Sequence, residues 1–307
     1  MKELSGVLLL DKASGLTSHD VVQRVRGMLS QQRVGHTGTL DPLATGLLPL
    51  CLGQATRLSQ FLTSSDKTYA GTIRFGWATD THDREGKPLG ETRAVRFSQG
   101  DLERALASLT GTITQIPPMF SAKKHGGVPM YRYARKNQEV PRDPVRVTIH
   151  RLTLLKLRGE EMDFEVKSSP GTYIRVLAHD LGTVLGCGAH LQDLRRTSCG
   201  DFQVEEAFTL ERLEATVREH GTSQALIPLS RVPLGFPTVV ANRAGLTAVR
   251  NGRALGIREI LPSRSCLAEG MSRVESESGD LLAIARISRK DGQDIPVIQP
   301  QIVFAGA

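Results

Sequence analysis

Residues 35–48 read GHTGTLDPLATGLL and hold one imidazole, His36, and one carboxylate, Asp41, among glycines and threonines. A carboxylate on a stiff loop can begin a turn, ligate a metal ion, or act as a nucleophile. Asp before Pro readily starts a turn, and by residue type alone that reading comes first. Gly35, Gly38, Pro42 and Gly46 interrupt both the helical and the strand period, so the stretch reads as a loop. It leads into Leu47, Leu48, Leu50 and Leu52, which read as a buried element and set the acid at the edge of a core.

Other constellations carry less. His179, Cys187, His190 and Cys199 contain one Cys-x2-His spacing but lack the paired short-spaced ligands of a zinc site. The acids of DTHD (80–83) sit beside Gly86 and Pro88, where a turn explains them. GHTGTL lacks the lysine and the strand–loop–helix setting of a phosphate-binding loop. These patterns do not suggest an enzyme that depends on a metal or on a nucleotide.

Several elements must position these side chains. GVLLLD (6–11) reads as a short buried strand. Thr17 or Ser18 then caps a helix whose Val21, Val22, Val25, Met28 and Leu29 recur at helical spacing. A short helix is expected over Gln54–Leu62 and a strand over 67–80. A further helix is expected from Ser98, with Gly111 as its stop. Residues 114–137, with Gly126, Gly127 and Pro129, read as a mobile loop leading into a short helix. A long hairpin over 145–169 turns at Gly159, and 171–186 reads as a strand end running into a helix. A last helix, about Thr209–His220, closes the first domain. Pro228, Pro233 and Pro237 mark 223–237 as a linker. The remainder holds one helix-like piece and short strand-like pieces, LLAIARIS and IPVIQPQIVF among them.

The length of 307 residues suggests two domains, and 39% hydrophobic with 23% charged residues fits a globular chain without low-complexity tracts. The apolar run near Met1 is too short for a signal peptide or a membrane span. Cys51, Cys187, Cys199 and Cys266 show no paired spacing, which fits reduced thiols; the expected location is the cytoplasm, away from membranes. The net charge of +7 is concentrated. Residues 119–159 carry ten lysines and arginines (Lys123, Lys124, Arg132, Arg135, Lys136, Arg142, Arg146, Arg151, Lys156, Arg158) against Glu139 and Asp143. Phe120, Tyr131 and Tyr133 are interleaved with them, a mixture suited to phosphate contact and base stacking, so the expected partner is a nucleic acid.

Five blocks together resemble the TruB family: DKASGLTSHD; VGHTGTLDPLATGLLPLCLG; DKTYAGTIRFGWATDTHDREG; IPPMFSAKKHGGVPMYRYAR; and GTYIRVLAHDLG with GCGAHLQDLRR. They cover roughly residues 4–235 in the family's order and spacing, and the second block is highly specific. The family comprises bacterial enzymes that isomerise uridine 55 in the T arm of tRNA to pseudouridine. The tail from about 238 resembles the small RNA-binding PUA domain. One departure is Ala13, where the family usually has proline after the lysine; this loosens one turn.

The resemblance implies an α+β catalytic domain over 1–235, with a mixed, mainly antiparallel sheet flanked by helices. A mostly-β PUA-like domain follows over 236–307, and the basic insertion at about 114–159 grips RNA. It implies that Asp41 is the catalytic nucleophile, adding either to uracil C6 or to the ribose carbon. It also implies that Tyr69 stacks on the base and helps with the C5 proton, and that Arg175 pairs with the Asp41 carboxylate. Tyr173 is expected to contact the target nucleotide from an extended stretch, facing the same side as Arg175 by period 2. Leu194 is expected against the flipped base, His36 beside the extruded nucleotide, and Lys12 beside the cleft, meeting a phosphate. The expected partner is tRNA, bound by a monomer with no protein partner and no cofactor. Two rivals are a non-catalytic RNA-binding protein and a subunit of a guide-RNA-directed complex. Asp41, Tyr69 and Arg175 argue against the first, and the basic insertion against the second.

Overall fold

The computed structural model describes residues 4–121, 123–134, 136, 138–289 and 296–304. Arg135 of the basic window and Ile295 of the last strand-like piece lie outside the described residues.

β1 (Gly6–Lys12) shows no polar alternation because both its faces are covered. Leu8 and Leu10 pack in a core with helix α1 (Ser18–Leu29), while Val7 and Leu9 enter a second core on the opposite side. Thr17 is the N-cap of α1: its side chain accepts from the Asp20 amide, and the Asp20 carboxylate accepts from the Thr17 amide at 2.9 Å. The loop of Asp41 runs between β2 (Val34–His36) and β3 (Thr45–Leu52), so Gly35 and Gly46 lie inside strands and are not breakers.

After a 3-10 turn (Gly53–Leu58) come α2 (Ser59–Thr63) and β4 (Lys67–Phe75). β4 stops short of residue 80 because Gly76 takes φ +111°; a small ladder of β5 (Ala78–Thr79) with β6 (Pro88–Leu89) follows. α3 (Gln99–Ser108) is capped by Ser98 but ends on Leu109. Gly111 is not its stop: at φ +92° it opens β7 (Gly111–Gln115). The basic segment contains a two-residue ladder, β8 (Lys124–His125) with β9 (Val128–Pro129), and α4 (Met130–Ala134). β10 (Val145–Arg158) and β11 (Glu161–Ser168) turn at Gly159, φ +59°. α5 (Ile174–Val184), β12 (Ala189–Cys199), β13 (Phe202–Gln203) and α6 (Leu210–His220) complete the first part of the chain. β14 (Thr238–Val240), α7 (Arg243–Arg250), β15 (Gly270–Glu275), β16 (Leu281–Arg289) and β17 (Pro296–Val303) follow.

The main sheet runs β1-β3-β12-β4-β11-β10-β7, with β2 added to β3 and β13 to β12. It is mixed and mainly antiparallel; the parallel pairing is β12 on β3, at Arg195–Thr45 and Arg196–Gly46. A strand-rich C-terminal sheet runs β14-β15-β16-β17. Residues 223–237 do not behave as a free linker. Ile227 exchanges backbone hydrogen bonds with Val7 at 2.8 and 2.9 Å, Val232 is buried, and Phe236 meets Phe61 edge-on. Leu281, Ile284, Ile302 and Phe304 share an apolar core with Val7, Leu9, Leu47 and Cys51, so the two sheets are joined through side-chain packing. Among the described residues no helix is long and apolar enough to cross a membrane.

Candidate active site

The parallel step between β3 and β12 brings the Asp41 loop over the middle of the sheet. Gly46 makes the step possible: at φ +99° its hypothetical Cβ would stand 2.3 Å from the Arg196 carbonyl oxygen. The loop then overhangs β4, and the N-terminus of α5 closes the other side. Between them lies a cavity of about 280 Å³ lined by Asp41, Tyr69, Tyr173, Arg175, Leu194 and Arg196, among others.

Arg175 organises this floor from a position 4% exposed. Its Nε donates to Asp41 Oδ2 at 2.7 Å and its Nη2 to Asp41 Oδ1 at 3.2 Å, a bidentate fork that fixes the carboxylate plane. Nη1 also donates to the Thr81 carbonyl at 2.9 Å and stands 3.5 Å from the Asp83 carboxylate. Nη2 also donates to the Phe120 carbonyl at 2.8 Å, tying the basic insertion to the same group. Asp41 keeps its carboxylate partly exposed to the cavity.

Tyr173 is the N-cap of α5 and Arg175 lies in that helix's first turn, so period-2 alternation does not relate them. Both reach the cavity because the chain turns there. Gln115 holds the turn from the sheet edge, donating to the Tyr173 carbonyl at 3.2 Å and accepting from its amide at 3.0 Å. Burial raises the pKa of the Tyr173 phenol, and the nearby Ser121 hydroxyl opposes the rise. Tyr69 is buried, and burial raises the pKa of its phenol; Arg196, its cross-strand neighbour, acts in the opposite sense. Leu194 is 5% exposed and lines the cavity two residues before Arg196.

Two expected site residues lie elsewhere. Lys12 is 1% exposed, and its Nζ donates to the carbonyls of Leu16 (2.7 Å), Ala13 (3.0 Å) and Pro42 (3.3 Å). Its three donors are used, so it cannot meet a phosphate as expected. It clamps the backbone just after Asp41, and burial lowers its pKa to about 8. His36 stands outside the cavity lining at the end of β2, its Nδ1 accepting from the Gly38 amide at 3.3 Å. Burial, with Arg196 nearby, holds its pKa below the usual value.

The basic window is also less free than its composition suggests. Arg151 pairs with Glu165, and Arg158 with Asp163 at 2.7 Å, using acids of β11 just beyond the window. Arg142 donates to the Pro117 carbonyl at 3.3 Å. Lys123, Lys136, Arg146 and Lys156 remain exposed.

Sequence reasoning missed Asp83, which DTHD presented as an ordinary acidic turn, and Lys67, whose Nζ donates to the carbonyls of Thr63 and Ser65, both at 2.5 Å. It also missed Arg196, although period 2 on β12 places it on the same face as Leu194.

Comparison with known proteins gives a consistent result. The family model "TruB family pseudouridylate synthase (N terminal domain)" matches residues 26–174, and "tRNA pseudouridylate synthase B C-terminal domain" matches 175–232. The chain is 44% identical over 284 residues to a tRNA pseudouridine synthase B of Solibacter usitatus, covering 92% of this chain and 96% of that one. It is 47% identical to that of Photobacterium profundum (77% and 75% covered) and 43% identical to that of Burkholderia mallei (94% and 94%). Among solved structures, a Cbf5-Nop10-Gar1 complex matches with a TM-score of 0.74 at 26% identity, covering 97% of this chain and 84% of that one. An H/ACA RNP bound to a substrate RNA containing 2'-deoxyuridine matches with the same TM-score and coverage at 23% identity, a likeness of fold.

Proposed function

Since the chain belongs to the TruB family of tRNA pseudouridine synthases, we propose that it isomerises uridine 55 in the T arm of tRNA, with Asp41 as nucleophile and the target base turned out of its stack. The observation that carries this reading is the Asp41 carboxylate, forked by Arg175 at the edge of a cavity walled by Tyr69, Tyr173 and Leu194.

The reaction breaks the bond between the ribose and uracil N1 and forms one to C5, with no change in formula. The uracil must therefore detach, rotate and reattach without leaving. A carboxylate suits either attack, on uracil C6 or on the ribose carbon, because it forms a bond it can later release. Arg175 fixes the plane of that carboxylate, which supplies orientation before the substrate arrives. Leu194 and the Tyr69 ring offer apolar surfaces that let a flat base turn without losing hydrogen bonds to the wall. A base stacked in an RNA arm cannot reach Asp41, so it is flipped out at a cost of about a few kcal/mol. His36 stands one loop away, half-buried, where its ring can fill the gap left in the RNA stack.

RNA is held by phosphate and shape contacts from the exposed lysines and arginines of 114–159 and from the PUA-like domain over 236–307. The chain works as a monomer in the cytoplasm, on tRNA directly. Its 43–47% identity to relatives named tRNA pseudouridine synthase B supports this over the guide-RNA-directed reading.

The test is tritium release from unmodified tRNA labelled at uridine C5, with tRNA binding measured in parallel. Release by the parent protein, none by Asp41→Asn, and equal binding by both are expected. Release by Asp41→Asn would remove Asp41 from the nucleophile role. Tight binding with no release by either protein would leave an RNA-binding protein without this activity.

A further inference from the structure

Arg196 is a fully buried arginine, 1% exposed, at the centre of the main sheet. Among the described residues no carboxylate lies within 4.0 Å of its guanidinium. Its Nε donates to the Leu47 carbonyl at 2.6 Å and its Nη2 to the Gly38 carbonyl at 3.1 Å, on the two sides of the Asp41 loop. Directly opposite it across the β4–β12 ladder stands Tyr69, whose phenol lies within reach of its charge. Burying a cation without an anion costs several kcal/mol, and two neutral carbonyls do not neutralise it. Lys67, two residues before Tyr69, is a further buried cation whose donors go to carbonyls. The Tyr69 oxygen is thus a place in this pocket where a negative charge can form beside that guanidinium.

We propose that Arg196 is a positioning residue for Tyr69, fixing the phenol oxygen as acceptor of the uracil C5 proton and holding the negative charge on that oxygen until the proton arrives. This rests on the pseudouridine-forming reading of the cavity. Once the C5 bond to ribose has formed, the C5–H bond breaks and its electron pair becomes the C5=C6 double bond of the product. If Asp41 attacked the ribose, the C6=N1 pair moves onto N1; if it added to C6, the C6–O pair returns to the Asp41 carboxylate; on either route N1 takes a proton from solvent. The C5 proton goes to the Tyr69 oxygen and is returned to solvent before the next turnover, so the enzyme ends unchanged. The charged and titratable groups around Tyr69 include Arg196 and Cys199 on β12, Lys67 on its own strand, Asp41 on the overhanging loop, and Tyr173 and Arg175 at the start of α5. Burial raises the phenol pKa most, and the two acidic groups, Asp41 and Cys199, raise it further; the Arg196 charge opposes them. Arg195, the adjacent residue, points the other way and forks the Asp11 carboxylate at 2.6 and 2.9 Å. The two arginines of the doublet therefore do different work.

The experiment is the pH profile of single-turnover pseudouridine formation on unmodified tRNA, for the parent, Arg196→Lys, Tyr69→Phe and the double variant. Arg196→Lys is expected to move the rising limb of the profile up by about one pH unit or more, since a lysine gives one point donor in place of the fork. On the Tyr69→Phe background the same change is expected to have no further effect on rate. Replacing Tyr69 by 3-fluorotyrosine, which lowers the phenol pKa without touching Arg196, is expected to move the limb down; this arm stands even if Arg196→Lys fails to fold. An equal loss of rate at every pH, additive with Tyr69→Phe, would overturn the inference in favour of a purely structural tie. So would an unmoved profile in the fluorotyrosine protein. A loss of tRNA affinity matching the loss of rate would instead assign Arg196 to an RNA phosphate. If Asp41→Asn still releases tritium, the functional reading itself fails, and that result is separate from all of these.

Discussion

His82 is held at φ +64°, unusual for a residue with a Cβ, and its ring lies flat on that of His179 with centroids 4.1 Å apart. Burial, then His179, Arg175 and Arg142, lower its pKa to about 4. Between pH 6.5 and 4 the unfolded chain therefore binds a proton that the folded one refuses, so stability falls as pH falls through that window. His82→Asn, which tolerates the positive φ, is expected to lessen this acid sensitivity by on the order of 2 kcal/mol, read as the difference in urea midpoint between pH 7 and pH 4.5. None of this was legible in DTHD, because neither the strained backbone nor the stacking partner on α5 is local. Asp41, Tyr69, Arg175 and Leu194 were legible through their motif blocks, and they do meet at one cavity. Lys12 was misjudged for a physical reason: a lysine's type does not reveal whether its ammonium finds water or three carbonyls.

At the scale of elements, local patterns located most helices and strands. Thr17, Ser98 and Thr209 cap the helices expected after them, because capping is written within four residues. What no local pattern carries is the parallel step of β3 against β12, which joins residues 150 apart in the chain. It depends on Gly46, and a comparison of two glycines tests that dependence. Gly111 also has positive φ, but a Cβ there would meet nothing within 4 Å. Gly111→Ala is expected to cost about 1–2 kcal/mol, the backbone penalty alone. Gly46→Ala must in addition push β12 away, and is expected to cost clearly more and to reduce turnover. Equal denaturation midpoints for the two variants would show that the close approach is not what the glycine provides.

The whole molecule departs most from the pattern of its sequence at the join between its two sheets. Three prolines suggested a tether, yet the segment pairs with β1 and buries Val232, and Phe304 from the chain's end completes a core begun by Val7 and Leu9. Prolines mark where a helix or strand cannot continue; they do not say whether the chain around them is packed. Phe304 is 3% exposed, and Phe304→Ala is expected to destabilise by about 3–5 kcal/mol while keeping a single thermal transition. Two separated transitions in the parent protein would contradict the shared core. The join has a geometric corollary. Two domains on a hinge would search for an RNA at many spacings, whereas two sheets packed through one core present their surfaces at a single spacing, as the jaws of a caliper do. On the proposed reading, in which RNA is held both at the cavity of Asp41 and on the C-terminal sheet, an RNA that is too short or wrongly bent forfeits one of its two holds.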